Sequence, residues 1–387
     1  MPLKRRLRAV VDRAWLEREK WRLRRFYFAP RPDGDLERHL REAVAWLMRA
    51  QDHGDDRGVS YGTELGRGFL ESYPETTGYI MQTFVRLAEV WDNADLLRRA
   101  GEMSDWEISI QLENGAVMGG RASAEPSPAV FNTGQVLLGW AALAQRTGAP
   151  RVIEAARRAA SWLVSIQEPD GRWSRFNSRF ARPESTVYNA KAAWGLAQSG
   201  VALGEPTWVA AAVRNAEFAV SRQTSNGWFA DCCLTDPRRP LLHTLAYTMQ
   251  GVLEIGILAR RDDLVLAARR TADSLIDVAG SDGYIPGRLD ERFAPAAEYC
   301  CLTGSAQTSI VWSRLFGLTG EQRYRDAAVC VNRFLMARHD VETDDPTVRG
   351  GLSGSWPIHG EYGQFMILNW ATKFLVDALL AEQRGVG

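Results

Sequence analysis

From residue 36 onward the chain alternates between two kinds of helical pattern. The first places apolar residues at intervals of three and four and leaves charges on the remaining face, as in Arg151-Val-Ile-Glu-Ala-Ala-Arg-Arg-Ala-Ala160. Such a stripe predicts a helix with one buried side. The second is apolar nearly all round and rich in Gly, Ala and Trp, as in Thr133-Gly-Gln-Val-Leu-Leu-Gly-Trp-Ala-Ala-Leu143. A helix without a polar face is predicted to be buried on every side. The striped segments fall at 36–52, 95–112, 151–168, 206–223, 262–279 and 321–338. The apolar ones fall at 76–91, 132–146, 186–199, 242–259, 303–316 and 363–381.

The alternation is periodic. Trp46-Leu-Met-Arg-Ala-Gln51, Trp106-Glu-Ile-Ser-Ile-Gln111, Trp162-Leu-Val-Ser-Ile-Gln167 and Phe218-Ala-Val-Ser-Arg-Gln223 each close a striped segment. Asn114-Gly115, Asp170-Gly171, Asn226-Gly227 and Asp282-Gly283 follow one another at a constant step of 56 residues. A weaker first copy at Asp56-Arg57-Gly58 and a degenerate last one after Phe334 complete six repeats. A period of this size marks stacked units that bury their apolar faces on their neighbours. Six two-helix units, charged helices outside and apolar helices inside, predict an all-α fold, the (α/α)6 toroid. An open stack would need a polar cap at its end, and Phe365-Met-Ile-Leu-Asn-Trp-Ala-Thr-Lys-Phe-Leu-Val376 is not one. The expected organisation is one barrel domain over residues 36–387 behind a leader over residues 1–35.

Composition narrows the class. The 387 residues are 45% hydrophobic and 24% charged, with 34 Gly and 16 Pro, which excludes disordered and collagenous chains. Neither a membrane span nor a signal peptide is expected, because the apolar runs are too short. Five cysteines, four of them in the adjacent pairs Cys232-Cys233 and Cys300-Cys301, make a poor disulfide framework. These features point to a cytoplasmic protein with reduced thiols. The formal charge is zero, yet residues 1–26 hold ten Lys/Arg against Asp12, Glu17 and Glu19. With Leu3, Leu7, Val10, Val11 and Trp15 at near-helical spacing, the leader reads as a basic amphipathic helix. Packing on the barrel is its simpler use, and peripheral contact with an anionic membrane is the other. No nucleic-acid module accompanies the charge, so no nucleic-acid partner is expected. The oligomeric state is not encoded visibly.

Polar residues on helices that are otherwise apolar mark the interior of the ring, because facing the outer helices would bury them unpaired. The 56-residue step brings Tyr79, Gln135, Lys191 and Tyr247 to one level, with Gln307 or Ser305 nearby in the fifth repeat. One turn earlier it aligns Glu75, Phe131, Val187 and His243, with Cys301 close to the register. Thr77, Thr133, Thr244 and Thr303 sit where helix caps belong. The loops before the inner helices add Tyr61, Tyr73, Trp173, Arg175, Asn177 and Arg179, then Asn189, Trp228, Asp231, Glu298, Trp356, His359, Glu361 and Tyr362. A concave, aromatic-lined mouth with a few convergent charges suits an oligosaccharide. The candidate catalytic residues are Glu75, Tyr79, Asp231, His243, Tyr247, Glu298 and Glu361. The candidate substrate-binding residues are Tyr61, Tyr73, Gln135, Trp173, Arg175, Asn189, Lys191, Trp228, Gln307, Trp356, His359 and Tyr362.

Two chemistries stay open. Glycoside hydrolysis needs two carboxylates, about 5–5.5 Å apart for retention and about 6.5–9.5 Å for inversion, and Glu75, Asp231, Glu298 and Glu361 are available. Elimination or C5 epimerisation of a uronate needs a base, an acid on the other face and a group that neutralises the carboxylate. Tyr79, Tyr247, His243, Lys191, Asn189 and Arg175 would serve there.

Over residues 36–381 the chain resembles the six-hairpin toroid enzymes: unsaturated glucuronyl hydrolases and other glycosidases, (α/α) polysaccharide lyases, sugar epimerases and the helical domain of D-glucuronyl C5-epimerases. The segments Tyr73-Pro-Glu-Thr-Thr-Gly-Tyr79, Leu242-His-Thr-Leu-Ala-Tyr247, Cys301-Leu-Thr-Gly304 and Trp356-Pro-Ile-His-Gly-Glu-Tyr362 also resemble a bacterial family linked to surface-polysaccharide gene clusters. The resemblance implies a carbohydrate-active enzyme without choosing its reaction, since one fold hosts many activities.

Two further readings belong to other classes. One is a non-catalytic glycan-binding or assembly protein that uses the same mouth. The other is a zinc-dependent or prenyl-type toroid enzyme. Asp231-Cys-Cys233 followed by His243-Thr244 loosely resembles the zinc ligands of prenyltransferase β subunits, and Glu298-Tyr-Cys300 resembles those of zinc-containing β-L-arabinofuranosidases. Such donors are competent for zinc, but neither spacing matches its family, so no cofactor is expected and zinc is kept as the minority alternative.

Overall fold

A computed structural model describes residues 34–383 apart from 179, 180, 183 and 185, together with 385. The basic amphipathic leader, like Arg179, lies outside the described residues. Six striped helices form the outer layer: α1 (Leu36–Asp52), α3 (Ala94–Ser109), α5 (Pro150–Ser165), α7 (Pro206–Ser221), α9 (Asp262–Val278) and α11 (Gln322–Met336). Six apolar ones form the inner layer: α2 (Pro74–Val90), α4 (Val130–Thr147), α6 (Ala190–Leu203), α8 (Leu242–Ala259), α10 (Leu302–Thr319) and α12 (Asn369–Gln383). Each inner helix packs on the next, and α12 returns to α2 and to α1, so the ring closes as expected.

Glycine sets how closely the inner helices approach. A Cβ added to Gly139, Gly195 or Gly251 would collide with the backbone carbonyl oxygen of Gly78, Gly134 or Ala190 on the preceding inner helix. These are three consecutive contacts at one register, stepping by 56 residues. At Gly304 the added Cβ would lie 2.6 Å from the backbone nitrogen of His243.

A second repeated device builds the rim. The glycine of each Asn/Asp-Gly turn has positive φ, 90° at Gly171, where a side chain is strained. It lies against a carbonyl of the next outer helix: Gly115 on Arg158, Gly171 on Arg214, Gly227 on Arg270 and Gly283 on Cys330. Gly350 rests in the same way on Glu42 of α1. The degenerate sixth turn thus makes the contact that closes the outer layer. The recurring glutamines pin these turns. Gln167 Nε2 donates to Gly171 O at 2.9 Å and to Ala211 O of α7 at 2.8 Å, and Gln111 and Gln223 do the same one repeat before and after.

Between the layers lie buried indoles. A buried tryptophan needs a partner for its ring N–H, and three find a carbonyl at 2.9 Å: Trp173 on Leu163 O, Trp312 on Ala272 O and Trp46 on Thr347 O. Two of the four expected threonine caps, Thr77 and Thr133, work differently, and Thr372 of the last inner helix joins them, while Thr244 Oγ1 donates to Leu241 O at 2.9 Å. Thr77, Thr133 and Thr372 each stand fourth in an inner helix and accept the N–H of Val59, Val117 or Leu352 at 2.9 Å. They fasten a loop to a helix rather than capping it.

The last inner helix begins at Asn369, not at 363. The preceding residues form strand β5 (Met366–Leu368), which pairs antiparallel with β1 (Gly62–Glu64), itself paired with β2 (Gly68–Phe69). This small sheet ties the last repeat to the first. Beside it His39 Nδ1 lies 2.9 Å from His339 Nδ1, a contact that needs one donor and one acceptor and excludes two charged rings.

Gly195→Ala is expected to lose about 3 kcal/mol or more of stability through backbone collision. Gly101→Ala, on α3 with nothing within 4 Å of the added Cβ, is expected to gain about 0.5–1 kcal/mol, and chemical denaturation compares the two. Burial, then His39, lowers the His339 pKa from 6.5 to about 3. The folded chain therefore binds fewer protons than the unfolded one between those values. Stability is full above pH 6.5 and falls as the pH drops towards 3, by roughly 2 kcal/mol at pH 5 from this group. His339→Gln should flatten that slope in thermal melts at a series of pH values.

Candidate functional site

The links from inner to outer helices are short, as at 148–149 and 204–205, whereas the links from outer to inner are long: 53–73, 110–129, 166–189, 222–241, 279–301 and 337–368. All six long loops therefore gather at the end of the barrel where the inner helices start. The inner helices point their partially positive N-termini at the axis of this mouth, while the outer helices end around its rim.

At the first turn of the inner helices stand Glu75 of α2, Phe131 of α4, His243 of α8 and Trp370 of α12. The Tyr73 hydroxyl donates to Glu75 Oε2 at 3.2 Å. Tyr61 packs edge-on against both Tyr73 (5.3 Å between centroids) and Trp370 (4.7 Å), and Trp370 Nε1 donates to the Tyr362 hydroxyl at 2.7 Å. Glu75 keeps some solvent access through the mouth but is walled by protein, and this burial pushes its carboxyl up to about 7 against the lowering effect of the Tyr73 hydrogen bond. A carboxyl that titrates near neutrality is suited to general acid catalysis.

His243 comes from α8, which lies three places round the ring from α2 and so on the opposite wall. Its ring sits 4.2 Å from Tyr247 and 5.3 Å from Tyr362, and Nδ1 lies 2.6 Å from Gln307 Oε1. With an amide oxygen as partner, Nδ1 carries the proton and Nε2 keeps its lone pair. Burial lowers the His243 pKa to about 3, so the imidazole is neutral at pH 7.

One turn deeper are Tyr79, Gln135, Lys191, Tyr247, Gln307 and Phe374. Phe374 lies 5.5 Å from Tyr79, and Phe131 lies 4.9 Å from Tyr247. Lys191 Nζ donates to Gln250 Oε1 at 2.6 Å and stands over Trp194, Phe374 and Tyr247. Lys373 Nζ stands over the same Phe374 ring at 4.4 Å and pairs with Asp377 at 2.6 Å. Burial first, and then Lys373, hold the Lys191 ammonium well below its usual range. Burial raises Tyr79, Tyr247 and Tyr362 well above theirs, which keeps them as hydroxyl donors.

Other expected residues are placed elsewhere. Trp173 is fully buried between the layers, and Trp228 packs edge-on against Phe293 at 5.4 Å. Asp231 pairs with Arg222 at 2.5 Å, and Glu298 is exposed. Glu361 pairs with Arg288 at 3.0 Å on the rim, its side chain 68% exposed. Trp356 faces Phe334 and Arg338 of the outer layer, because β4 (Ser355–Trp356) pairs with β3 (Cys300–Cys301). Arg175 is exposed over Phe176, His359 is exposed, and buried Asn189 donates to Asn177 at 2.7 Å. Trp370, Phe374 and Lys373 were missed because the sixth inner helix was expected to start early. Counted from Asn369, Trp370 and Phe374 fall on the levels of Glu75 and Tyr79. Arg121, which lies 5.1 Å over the Tyr61 ring, is on a loop with no register to reveal it.

The zinc alternative requires Asp231, Cys233 and His243, or Glu298 and Cys300, to converge. Asp231 is held by Arg222 and Glu298 faces solvent, and among the described residues no three His, Cys, Asp or Glu side chains form a metal-ligating group. Neither donor set converges among the described residues.

Solved structures match this architecture over nearly its whole length. An unsaturated glucuronyl hydrolase specific for heparin superposes with a TM-score of 0.73 at 13% identity, covering 90% of this chain and 97% of that one. The unsaturated glucuronyl hydrolase of Bacillus sp. GL1, responsible for the degradation of glycosaminoglycan, gives 0.71 at 16% identity over 91% and 97%. Cellobiose 2-epimerase from Bacillus thermoamylovorans gives 0.70 at 7% identity over 89% and 98%. The fold is the (α/α)6 toroid. No protein-family model and no curated protein matches the sequence, so the likeness lies in the fold alone.

Because the Tyr73 hydroxyl donates to the ionised form of Glu75, Tyr73→Phe is expected to raise the Glu75 pKa further above 7. The carboxyl stretch in pH-difference infrared spectra, assigned with Glu75→Gln, reads this directly. An unchanged or lower value would remove the assigned hydrogen bond.

Proposed function

We propose that the protein is an enzyme that modifies a saccharide by proton transfer in the mouth of the barrel, with Glu75 as acid and His243 as base. The observation that carries this reading is the pairing of a half-buried Glu75, whose carboxyl is pushed up to about 7, with a neutral His243 on the opposite wall, across a floor of tyrosines. His243 Nε2 takes a proton from a sugar carbon beside a carbonyl or carboxylate, and Glu75 delivers one to the other face. Tyr79 and Tyr247, kept protonated, donate hydrogen bonds to the oxygen where charge gathers. Tyr61, Tyr73 and Trp370 offer ring faces to the sugar. The substrate class favoured is a uronate-bearing oligosaccharide, because six helix N-termini point at the mouth and Arg121 and Arg288 stand on its rim.

This reading favours epimerisation, isomerisation or elimination over hydrolysis, which asks for two carboxylates about the bond. Of the four candidates only Glu75 stands among the converging side chains. Structural neighbours include epimerases and an isomerase as well as hydrolases. All five cysteines are free, which fits the reducing cytoplasm we infer as its location.

Incubation of uronate oligosaccharides in deuterated water is expected to place deuterium on a sugar carbon, without new reducing ends if the reaction is epimerisation. Glu75→Gln and His243→Gln should each lower kcat by roughly 10²–10⁴. With Glu75 acting as an acid, kcat/KM should fall above about pH 7. Reducing ends with neither deuterium uptake nor the absorbance of an unsaturated product, or full activity in both variants, would discard the reading.

A further inference from the structure

At the end of the barrel opposite the mouth, the last turns of the inner helices surround a second cavity of about 750 Å3, within the ~300–1,000 Å3 usual for small-molecule sites. Its walls carry Arg86 of α2, Arg146 of α4 and Arg314 of α10, against the carboxylates of Glu89, Glu254 and Asp377. Two buried lysines stand behind the floor, each held by a residue that lines the cavity: Lys191 by Gln250 and Lys373 by Asp377. Three arginines and the Lys373 ammonium therefore stand with three carboxylates in and around one cavity, and Lys191 adds a buried amine. Asp377 is taken by Lys373, and Glu254 lies 3.4 Å from Arg314. Among the described residues, Arg86 and Arg146 are in no ion pair. Four amide side chains, Gln82, Gln145, Gln198 and Gln250, supply donors and acceptors, and Trp194 forms an apolar wall.

We propose that this cavity is a second ligand site, for a small hydroxylated anion such as a sugar bearing a phosphate or carboxylate, clamped by Arg86, Arg146 and Arg314. A guanidinium offers a planar fork of donors that matches either anionic group, and the glutamines match the hydroxyls of the body. A bound anion displaces water from between the guanidinium groups, which strengthens the charge pairs. The buried level of Tyr79, Lys191 and Phe374 separates the site from the mouth, so its occupancy does not depend on the chemistry assigned there.

The opposing force is the partial negative charge of the inner-helix C-termini on this side. If the arginines serve only to offset it, no anion will bind. Isothermal titration of the full chain with glucose 6-phosphate, glucuronate and glucose decides the matter. A saturable component is expected for at least one anionic sugar and none for glucose, and it should weaken with added salt. Binding by the phosphate sugar alone, or by glucuronate alone, supports the site and names its anion. That component should weaken roughly tenfold or more in Arg86→Ala/Arg146→Ala, whose replaced side chains are exposed, and stay unchanged in Glu75→Gln, which alters only the mouth. Arg86→Gln alone, should the double variant unfold, is expected to weaken it in the same direction. Absence of any saturable anion binding, or equal binding by the arginine variants, would overturn the proposal.

Discussion

Six helices can surround a common axis with a narrow polar interior only if adjacent helices nearly touch along their backbones. Here that approach is made by glycine against carbonyl, Gly139 on Gly78, Gly195 on Gly134 and Gly251 on Ala190. A methyl group at any of the three would hold two inner helices apart, and in a closed ring one separation displaces every later helix. The outer layer is built on the same logic at its turns, where Gly115, Gly171, Gly227, Gly283 and Gly350 rest on the next helix. Interiors packed at the density of organic crystals have no slack to absorb such a change.

Tight inner packing also determines the electrostatics of the axis. Side chains pointing inward leave water for protein on nearly every side, and desolvation then dominates their titration. It lifts Glu75, depresses His243 and Lys191, and keeps the tyrosines protonated. Burial is the largest cause at both residues, and it reverses their ordinary order by placing the Glu75 carboxyl above the His243 imidazole. The Tyr73 hydroxyl moderates the shift at Glu75 and keeps that carboxyl near neutrality.

Closure is made by a different set of contacts from those that propagate the repeat. The first outer helix packs on the last inner helix, β1 pairs with β5, and Arg49 and Trp46 of α1 donate to carbonyls of the sixth loop. The seam also holds the His39–His339 contact. The sixth loop has lost the Asn/Asp-Gly spacing but keeps the glycine, because Gly350 must still meet Glu42.

Periodicity by itself determined the toroid, the assignment of layers, the end of the barrel where the long loops meet, and the levels of Glu75, Tyr79, Lys191, His243 and Tyr247. All of these follow from spacing along regular helices, in which a residue's number is also its angle and height. The start of α12 was misread because Met366–Leu368 is apolar enough for either state, and pairing with β1, some 300 residues earlier, chooses the strand. Only the tertiary structure decided which loop residues face the mouth. Trp173 and Asp231 sit on such loops, yet one indole is drawn between the layers by Leu163 and one carboxylate outward by Arg222. A loop has no period, so its side chains go where distant partners satisfy their hydrogen bonds and charges, and that information lies in contacts rather than in order along the chain.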